Sequence, residues 1–214
     1  MYAKCGELEK AEQVFERLPL RNIVTWNALM SGLSDHGLGG EALKCLEQMQ
    51  CEGIVGSSVT FVCGMKACGS IRARDKGKAI HAWIDSLGLS GRKDIIVGNA
   101  LISMYSKCGI LGKAHKLFRE LPMQNVVSWN ALMAGYAQQG EGHSALKCFE
   151  RMQKDGLLPD VITFSCILKA CGSMGDVEKG KVIHDKIVNK GLLDKHIMLG
   201  NALVDMYAKC GMLE

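Results

Sequence analysis

The sequence predicts an all-α protein, a solenoid of stacked α-α hairpins. Long words recur at nearly constant phase: MYAKCG at Met1–Gly6 returns as MYSKCG at Met104–Gly109 and again as MYAKCG at Met206–Gly211. Trp26–Met30 (WNALM) returns as Trp129–Met133, Lys66–Ser70 (KACGS) as Lys169–Ser173, and Ile80-His81 as Ile183-His184. Self-similarity at fixed phase means one supersecondary unit stacked on copies of itself. The apolar spacing is helical throughout, and no segment alternates convincingly with period two, so no sheet is expected.

The chain divides into units of unequal length. It opens inside a short one, residues 1–22, whose second helix is halted by Leu18-Pro19, because proline disfavours helix in the residue before it and donates no backbone bond. Asn22 closes that unit. From 23 to 57, Val24, Ala28, Leu29 and Leu33 share one helical face, and Ala42, Leu43, Leu46 and Met49 share another after a break at Gly39-Gly40. Residues 58–94 carry a longer second helix, Asp75–Leu87, whose opening Asp suits a helix N-terminus. Residues 95–125 form a short unit stopped at Leu121-Pro122 and closed by Asn125. From 126 to 160, Gly140 and Gly142 are expected to separate two helices, and Gly156 with Pro159 ends the second. Residues 161–196 again hold a long second helix, Asp176–Lys190, and 197–214 start another short unit. The unit 161–196 is one residue shorter than 58–94, which explains why the MY-KCG word returns after 103 and then 102 residues.

Composition narrows the function classes. A hydrophobic content of 48% supports a continuous core, and no apolar run approaches the roughly 20 residues that span a bilayer, so no membrane partner is expected. A net charge of +4 permits RNA binding without demanding it. The ten cysteines recur at equivalent phases (Cys5, Cys108 and Cys210; Cys68 and Cys171; Cys45 and Cys148) beside apolar neighbours, and they are read as small reduced core residues. The opening residues read as neither a secretory nor an organellar leader, and Met1 occupies the phase of Met104 and Met206. The sequence is therefore read as part of a longer array.

Three local patterns imitate chemical sites. Gly175–Val182 (GDVEKGKV) approaches a phosphate-binding loop, but Val replaces the metal-binding Ser/Thr, no strand precedes it, and the earlier copy has Arg72 in place of Gly175. His81 and His184 lack a second ligand at a metal-like spacing, and Cys63/Cys68 and Cys166/Cys171 lie five apart rather than three. The zinc-deaminase signature His-x-Glu with Cys-x-x-Cys is absent from the 214 residues. Neither a cofactor, a metal nor a catalytic residue is expected.

The units resemble the pentatricopeptide repeat proteins, and within them the plant-type PLS subclass. VTWNALMSG with EALKCLEQMQ and VVSWNALMAG with SALKCFERMQ are similar to P units; SVTFVCGMKACGS with GKAIH and VITFSCILKACGS with GKVIH, to L units; IVGNALISMYSKCG with AHKLFRELPMQN, to the S unit. The resemblance implies a right-handed superhelix whose first helices line a groove for single-stranded RNA, one base per repeat. It also implies that the fifth and last residues of a unit read the base. Those are Asn27 with Ser57, Asn99 with Asn125, Asn130 with Asp160, and Asn201. Val24, Val59, Val127 and Ile162, second in their units, resemble the family's base-sandwiching wedges; without the resemblance they would be ordinary core. In the L units the pairs are Val62/Asp94 and Ser165/His196, and Val62 has no hydrogen-bonding side chain. The implied preference, 5′ to 3′, is pyrimidine, unread, pyrimidine, U, unread, pyrimidine.

Read from the residues alone, the same asparagines could be helix N-caps. The expected function is sequence-selective binding of single-stranded RNA in mitochondrion or chloroplast, as the non-catalytic recognition module of editing or processing, with any enzyme supplied in trans. The competing expectation is a protein–protein scaffold of the tetratricopeptide kind. Recurrence of one amide at the fifth position favours the first, because a peptide groove has no reason to repeat it.

Overall fold

A computed structural model describes residues 5–89 and 94–212; most of the first MYAKCG word, Met1–Lys4, and the final Leu213 and Glu214 lie outside them. Twelve α-helices and no strand occur among the described residues. They belong to two compact bodies, Met1–Pro122 and Met123–Glu214.

In the first body α2 (Ile23–Asp35), α4 (Ser58–Ser70) and α6 (Ile95–Lys107) pack side by side, each followed by a second helix: α3 (Gly39–Cys51), α5 (Arg74–Ser86) and α7 (Leu111–Glu120). The short α1 (Leu8–Glu16) precedes them and lays Phe15 edge-on to the buried Trp26 ring at 4.5 Å. The second body repeats the pattern with α8 (Val126–Gln138), α10 (Val161–Met174) and α12 (Ile197–Lys209) as first helices and α9 (Gly142–Lys154) and α11 (Val177–Asn189) as second helices. First helices touch one another directly, whereas α3 and α5, and likewise α9 and α11, leave a groove between them lined by Leu46, Ile80 and Trp83 in one body and Phe149, Val182 and Lys186 in the other.

The helices start where the sequence supplies caps. Asn22, Ser57, Asp94, Asn125 and Asp160 are N-caps of α2, α4, α6, α8 and α10, their side chains accepting first-turn N–H groups. In four of these a hydroxyl at the third helical position, Thr25, Thr60, Ser128 or Thr163, returns a bond to the cap's own N–H, a capping box built from Ser/Thr rather than Glu/Gln. Helix ends are equally legible: α1 and α7 stop just before Leu18-Pro19 and Leu121-Pro122.

Two expectations need correction. Gly39 and Gly142 do not separate helices; each is the first residue of its helix, and the turns fall earlier, at Gly37 and Gly140, both with positive φ. Gly39 and Gly142 are instead close-contact positions. A methyl on Gly142 would lie 3.0 Å from the Ala170 carbonyl oxygen and 2.5 Å from Met174 Cγ, and one on Gly39 would lie 2.9 Å from the Ala67 oxygen. The cysteines divide as well: Cys63, Cys68, Cys108, Cys166 and Cys171 are buried, but Cys5 and Cys51 are exposed and Cys45, Cys148 and Cys210 lie between. Burial pushes the Cys68 thiol up to about 12 and the Cys171 thiol to about 11, far from thiolate reactivity at neutral pH.

The recurring words prove to be two halves of one contact. His81 Nδ1 meets the Tyr105 hydroxyl at 2.8 Å, and His184 meets Tyr207 at 2.9 Å. A Cβ on Gly77 would stand 2.5 Å from Met104 Sδ, and one on Gly180 the same distance from Met206 Sδ. The GK-IH word on one helix thus receives the MY-KC word on the next. The phosphate-loop mimic is also explained: Asp176 caps α11, accepting from Lys179 N–H at 3.1 Å, so a carboxylate holds the place an anion would need.

Candidate nucleic-acid interface

The expected reading residues fall into two structural classes. Asn27, Asn99, Asn130 and Asn201 sit inside α2, α6, α8 and α12, one turn in, so the N-cap reading does not apply to them. Ser57, Asn125 and Asp160 are the caps, of α4, α8 and α10. A closing residue therefore belongs structurally to the helix that follows it.

Each body brings one predicted pair together. In the second, Asn130 Nδ2 donates to Asp160 Oδ1 at 3.0 Å, and Thr163 Oγ1 lies 2.7 Å from Asn130 Oδ1. The carboxylate accepts from the Thr163 N–H at 2.8 Å and lies equally far from its hydroxyl. Partial burial would raise the Asp160 carboxyl, but the Thr163 N–H and hydroxyl, the Asn130 amide and the Ile162 N–H outweigh it and hold the group below its ordinary value. In the first body Asn27 Nδ2 reaches Ser57 Oγ at 3.5 Å, and the Thr60 hydroxyl donates to Asn27 Oδ1 at 2.8 Å. Asn27 is half-buried, Asn130 is 5% exposed, and Asn201 is exposed. Asn99 lies on α6 in the first body and Asn125 caps α8 in the second, accepting the Ser128 N–H at 2.9 Å.

The pairs Val62/Asp94 and Ser165/His196 are built differently. Val62 offers no polar atom, and the Asp94 carboxylate accepts from Ile96 and Val97 N–H groups at 2.9 and 3.3 Å. His196 makes no side-chain cap bond.

The second positions are not core. Val24, Val59, Val127 and Ile162 are 68%, 58%, 58% and 52% exposed, which overturns the ordinary-core alternative. The structure extends the series to Ile96 and Met198, at 63% and 46%, which sequence reasoning passed over although each is the second residue of its first helix. Every first helix from α2 to α12 thus presents a large apolar side chain to solvent three residues before its asparagine, valine or serine. The exposure recurs at one register of the repeat. Also missed were Thr60 and Thr163, whose signal was a hydroxyl third in SVTF and VITF.

These features belong to a known class of helical-repeat protein. The PPR repeat family profile matches residues 21–70 and 124–173, and a PPR repeat profile matches 1–23, 99–126 and 162–192, so together they span most of the chain. A chloroplastic pentatricopeptide repeat-containing protein of Arabidopsis thaliana is 38% identical across 100% of this chain and 25% of its own length. A mitochondrial one is 37% identical across 99% of this chain and 33% of its own. The chain spans about a quarter to a third of the length of such relatives. The fold matches the pentatricopeptide repeat protein PPR10, a maize protein, in complex with an 18-nt psaJ RNA element, with a TM-score of 0.75, 22% identity, and coverage of 99% of this chain and 32% of that one. It also matches nuclear proteinaceous RNase P 2 of Arabidopsis thaliana at a TM-score of 0.52 and 15% identity over 78% of this chain and 38% of that one. The chain belongs to the pentatricopeptide repeat family.

Proposed function

We propose that this chain is a sequence-selective binding module for single-stranded organellar RNA, of the PLS subclass, with each fifth residue and its closing partner reading one base. The observation that carries the reading is the Asn130–Asp160 pair and its counterpart Asn27–Ser57. In each, an amide is held by the next unit's cap on a helix that also presents an exposed Val, Val127 or Val24. An amide so held keeps one N–H and one oxygen lone pair for the Watson–Crick edge of a base, and a base stacked against the neighbouring apolar side chains reaches it edge-on. The protein PPR10 carries such a fold on an RNA element, and relatives of this chain are named chloroplastic or mitochondrial.

The preference that follows is pyrimidine at Asn27/Ser57, pyrimidine at Asn99/Asn125, U at Asn130/Asp160 and pyrimidine at Asn201, with little discrimination at Val62/Asp94 and Ser165/His196. The module recognises the site, and a separate polypeptide or domain carries out editing or processing. Selection from random RNA tests this: Asn130→Thr is expected to shift one base from U toward G and leave the others alone. Recovery of RNA without any base preference, or a selection that the substitution leaves unchanged, rules the assignment out.

A further inference from the structure

The capping boxes contain an atom that base reading does not account for. Thr60 and Thr163 are fully buried, and each hydroxyl does two jobs at once. Thr163 Oγ1 accepts the Asp160 N–H at 3.2 Å while facing Asn130 Oδ1 at 2.7 Å; Thr60 Oγ1 accepts the Ser57 N–H at 3.0 Å while donating to Asn27 Oδ1 at 2.8 Å. A capping box needs only the first of these bonds. The second crosses to the preceding unit, 33 residues back.

The sequence of the chain pairs the two residue types. Where the fifth residue is Asn27, Asn99 or Asn130, the third residue of the next first helix is Thr60, Ser128 or Thr163; where it is Val62 or Ser165, that third residue is Val97 or Leu199. Capping alone does not explain this, because Asp94 caps α6 with no hydroxyl at Val97. In the two pairs that lie within one body, Asn27–Thr60 and Asn130–Thr163, the hydroxyl meets the amide oxygen.

We propose that Thr60 and Thr163 are positioning residues that fix which end of the Asn27 and Asn130 amides faces a base, making the third residue of the following unit a third determinant of base preference. The claim rests on the base-reading role proposed above. At Asn130 the orientation is forced from both ends: a carboxylate accepts only, so the amide nitrogen must face Asp160, and the hydroxyl proton is then available to the amide oxygen. The hydroxyl has one proton, which faces both Asn130 Oδ1 at 2.7 Å and Asp160 Oδ1 at 2.8 Å: given to the first it holds the amide oxygen, given to the second it supports the carboxylate that holds the amide nitrogen. At Asn27 the partner is the Ser57 hydroxyl, which donates or accepts, so Thr60 is the main source of orientation there. An amide free to turn over would exchange donor for acceptor and lose the distinction between bases.

Two measurements on the whole chain, comparing wild type with Thr163→Val and Thr163→Ser, separate this inference from the function beneath it. In the RNA-free protein, the two Asn130 side-chain amide protons should be well dispersed and slow to exchange in wild type and Thr163→Ser. They should move toward solvent-averaged values in Thr163→Val. Unchanged Asn130 signals in Thr163→Val overturn the inference whatever the RNA result. In competition between oligonucleotides differing at the base opposite Asn130, Thr163→Val should lower the preference for U about fivefold or more, roughly the lower bound of a mismatch effect, and Thr163→Ser should retain it. Loss of the amide signature with undiminished preference also overturns the inference. Wild type that binds with no preference overturns base reading instead, while the amide signals still decide whether the hydroxyl orients the side chain. Thr60→Val read at Asn27 supplies the same test should Thr163→Val not fold.

Discussion

Asn130 and Asp160, thirty residues apart, share a 3.0 Å hydrogen bond in which a helix cap and a candidate base-reading amide are the same interaction. The carboxylate that starts α10 by accepting Thr163 N–H also turns the α8 amide nitrogen toward itself. The cap that starts one repeat and the orientation of an amide in the repeat before it are thus coupled chemically.

The coupling has a pH signature. The Asp160 carboxyl titrates below its ordinary value of 3.8 in the folded chain, so its contribution is fully present above the unfolded value and is lost as pH falls through the folded one. Asp160→Asn keeps a competent cap and removes the charge. At pH 7 it should lower Tm by roughly 2 °C, the size of a modest exposed-cap effect in a chain of this length. Thermal unfolding followed by circular dichroism should show that difference closing as the pH drops below about 4. A difference independent of pH would contradict the assignment.

Arg72 carries a second expectation. It follows Ile71, the C-cap of α4, at φ +53°, where its counterpart in the second body is Gly175 at φ +68°. A side chain in the left-handed region costs about 1 kcal/mol, and glycine removes that cost at the expense of a more flexible unfolded chain. Arg72→Gly should therefore stabilise by roughly 0.5 kcal/mol in urea unfolding, whereas Gly175→Arg should destabilise by about 1 kcal/mol.

The close contact at Gly142 gives the opposite sign from helix propensity. Alanine improves an exposed helix by about 1 kcal/mol over glycine, but here the new methyl would press on the Ala170 carbonyl and the Met174 side chain. Net destabilisation of about 1 kcal/mol is expected from Gly142→Ala. Gly112→Ala, where nothing lies within 4 Å, should stabilise instead. Chemical denaturation of the two variants side by side checks the contrast.

Val59 separates binding from folding. It is 58% exposed, so Val59→Ser should leave unfolding within about 0.5 kcal/mol of wild type. If bases stack against the second positions, affinity for a pyrimidine-rich oligonucleotide should fall two- to fivefold, on the order of 1 kcal/mol at most. A change in Tm with intact binding would return the residue to the core.

Much of this architecture is legible in the residues because helix boundaries are local events. The proline stops after α1 and α7 and the apolar face of α3 are written within a few positions of where they act, whereas of the face read for α2 only Leu29 and Leu33 are buried. Gly39 and Gly142 were misread because a glycine that admits a neighbouring carbonyl looks, in sequence, like one that bends the chain. The difference lies in Ala67 and Ala170, 28 residues further on. Exposure of Val24 and Val59 is likewise invisible to periodicity, which marks a residue as apolar but not which side of a layer it faces. The Asn130–Thr163 bond joins residues of adjacent repeats, so no inspection of a single repeat finds it.

The residues that start α4, α8 and α10 are Ser, Asn and Asp, the short list of side chains that terminate a helix well. Where the closing residue caps the next helix, as Ser57, Asn125 and Asp160 do and His196 does not, few side chains serve. Recoding such a repeat means exchanging one good cap for another, so altered target preference is reachable without a large loss of stability, whereas a Leu or Lys there would forfeit both. If these positions read bases as proposed, the need to cap limits which residues can be exchanged there without loss of stability.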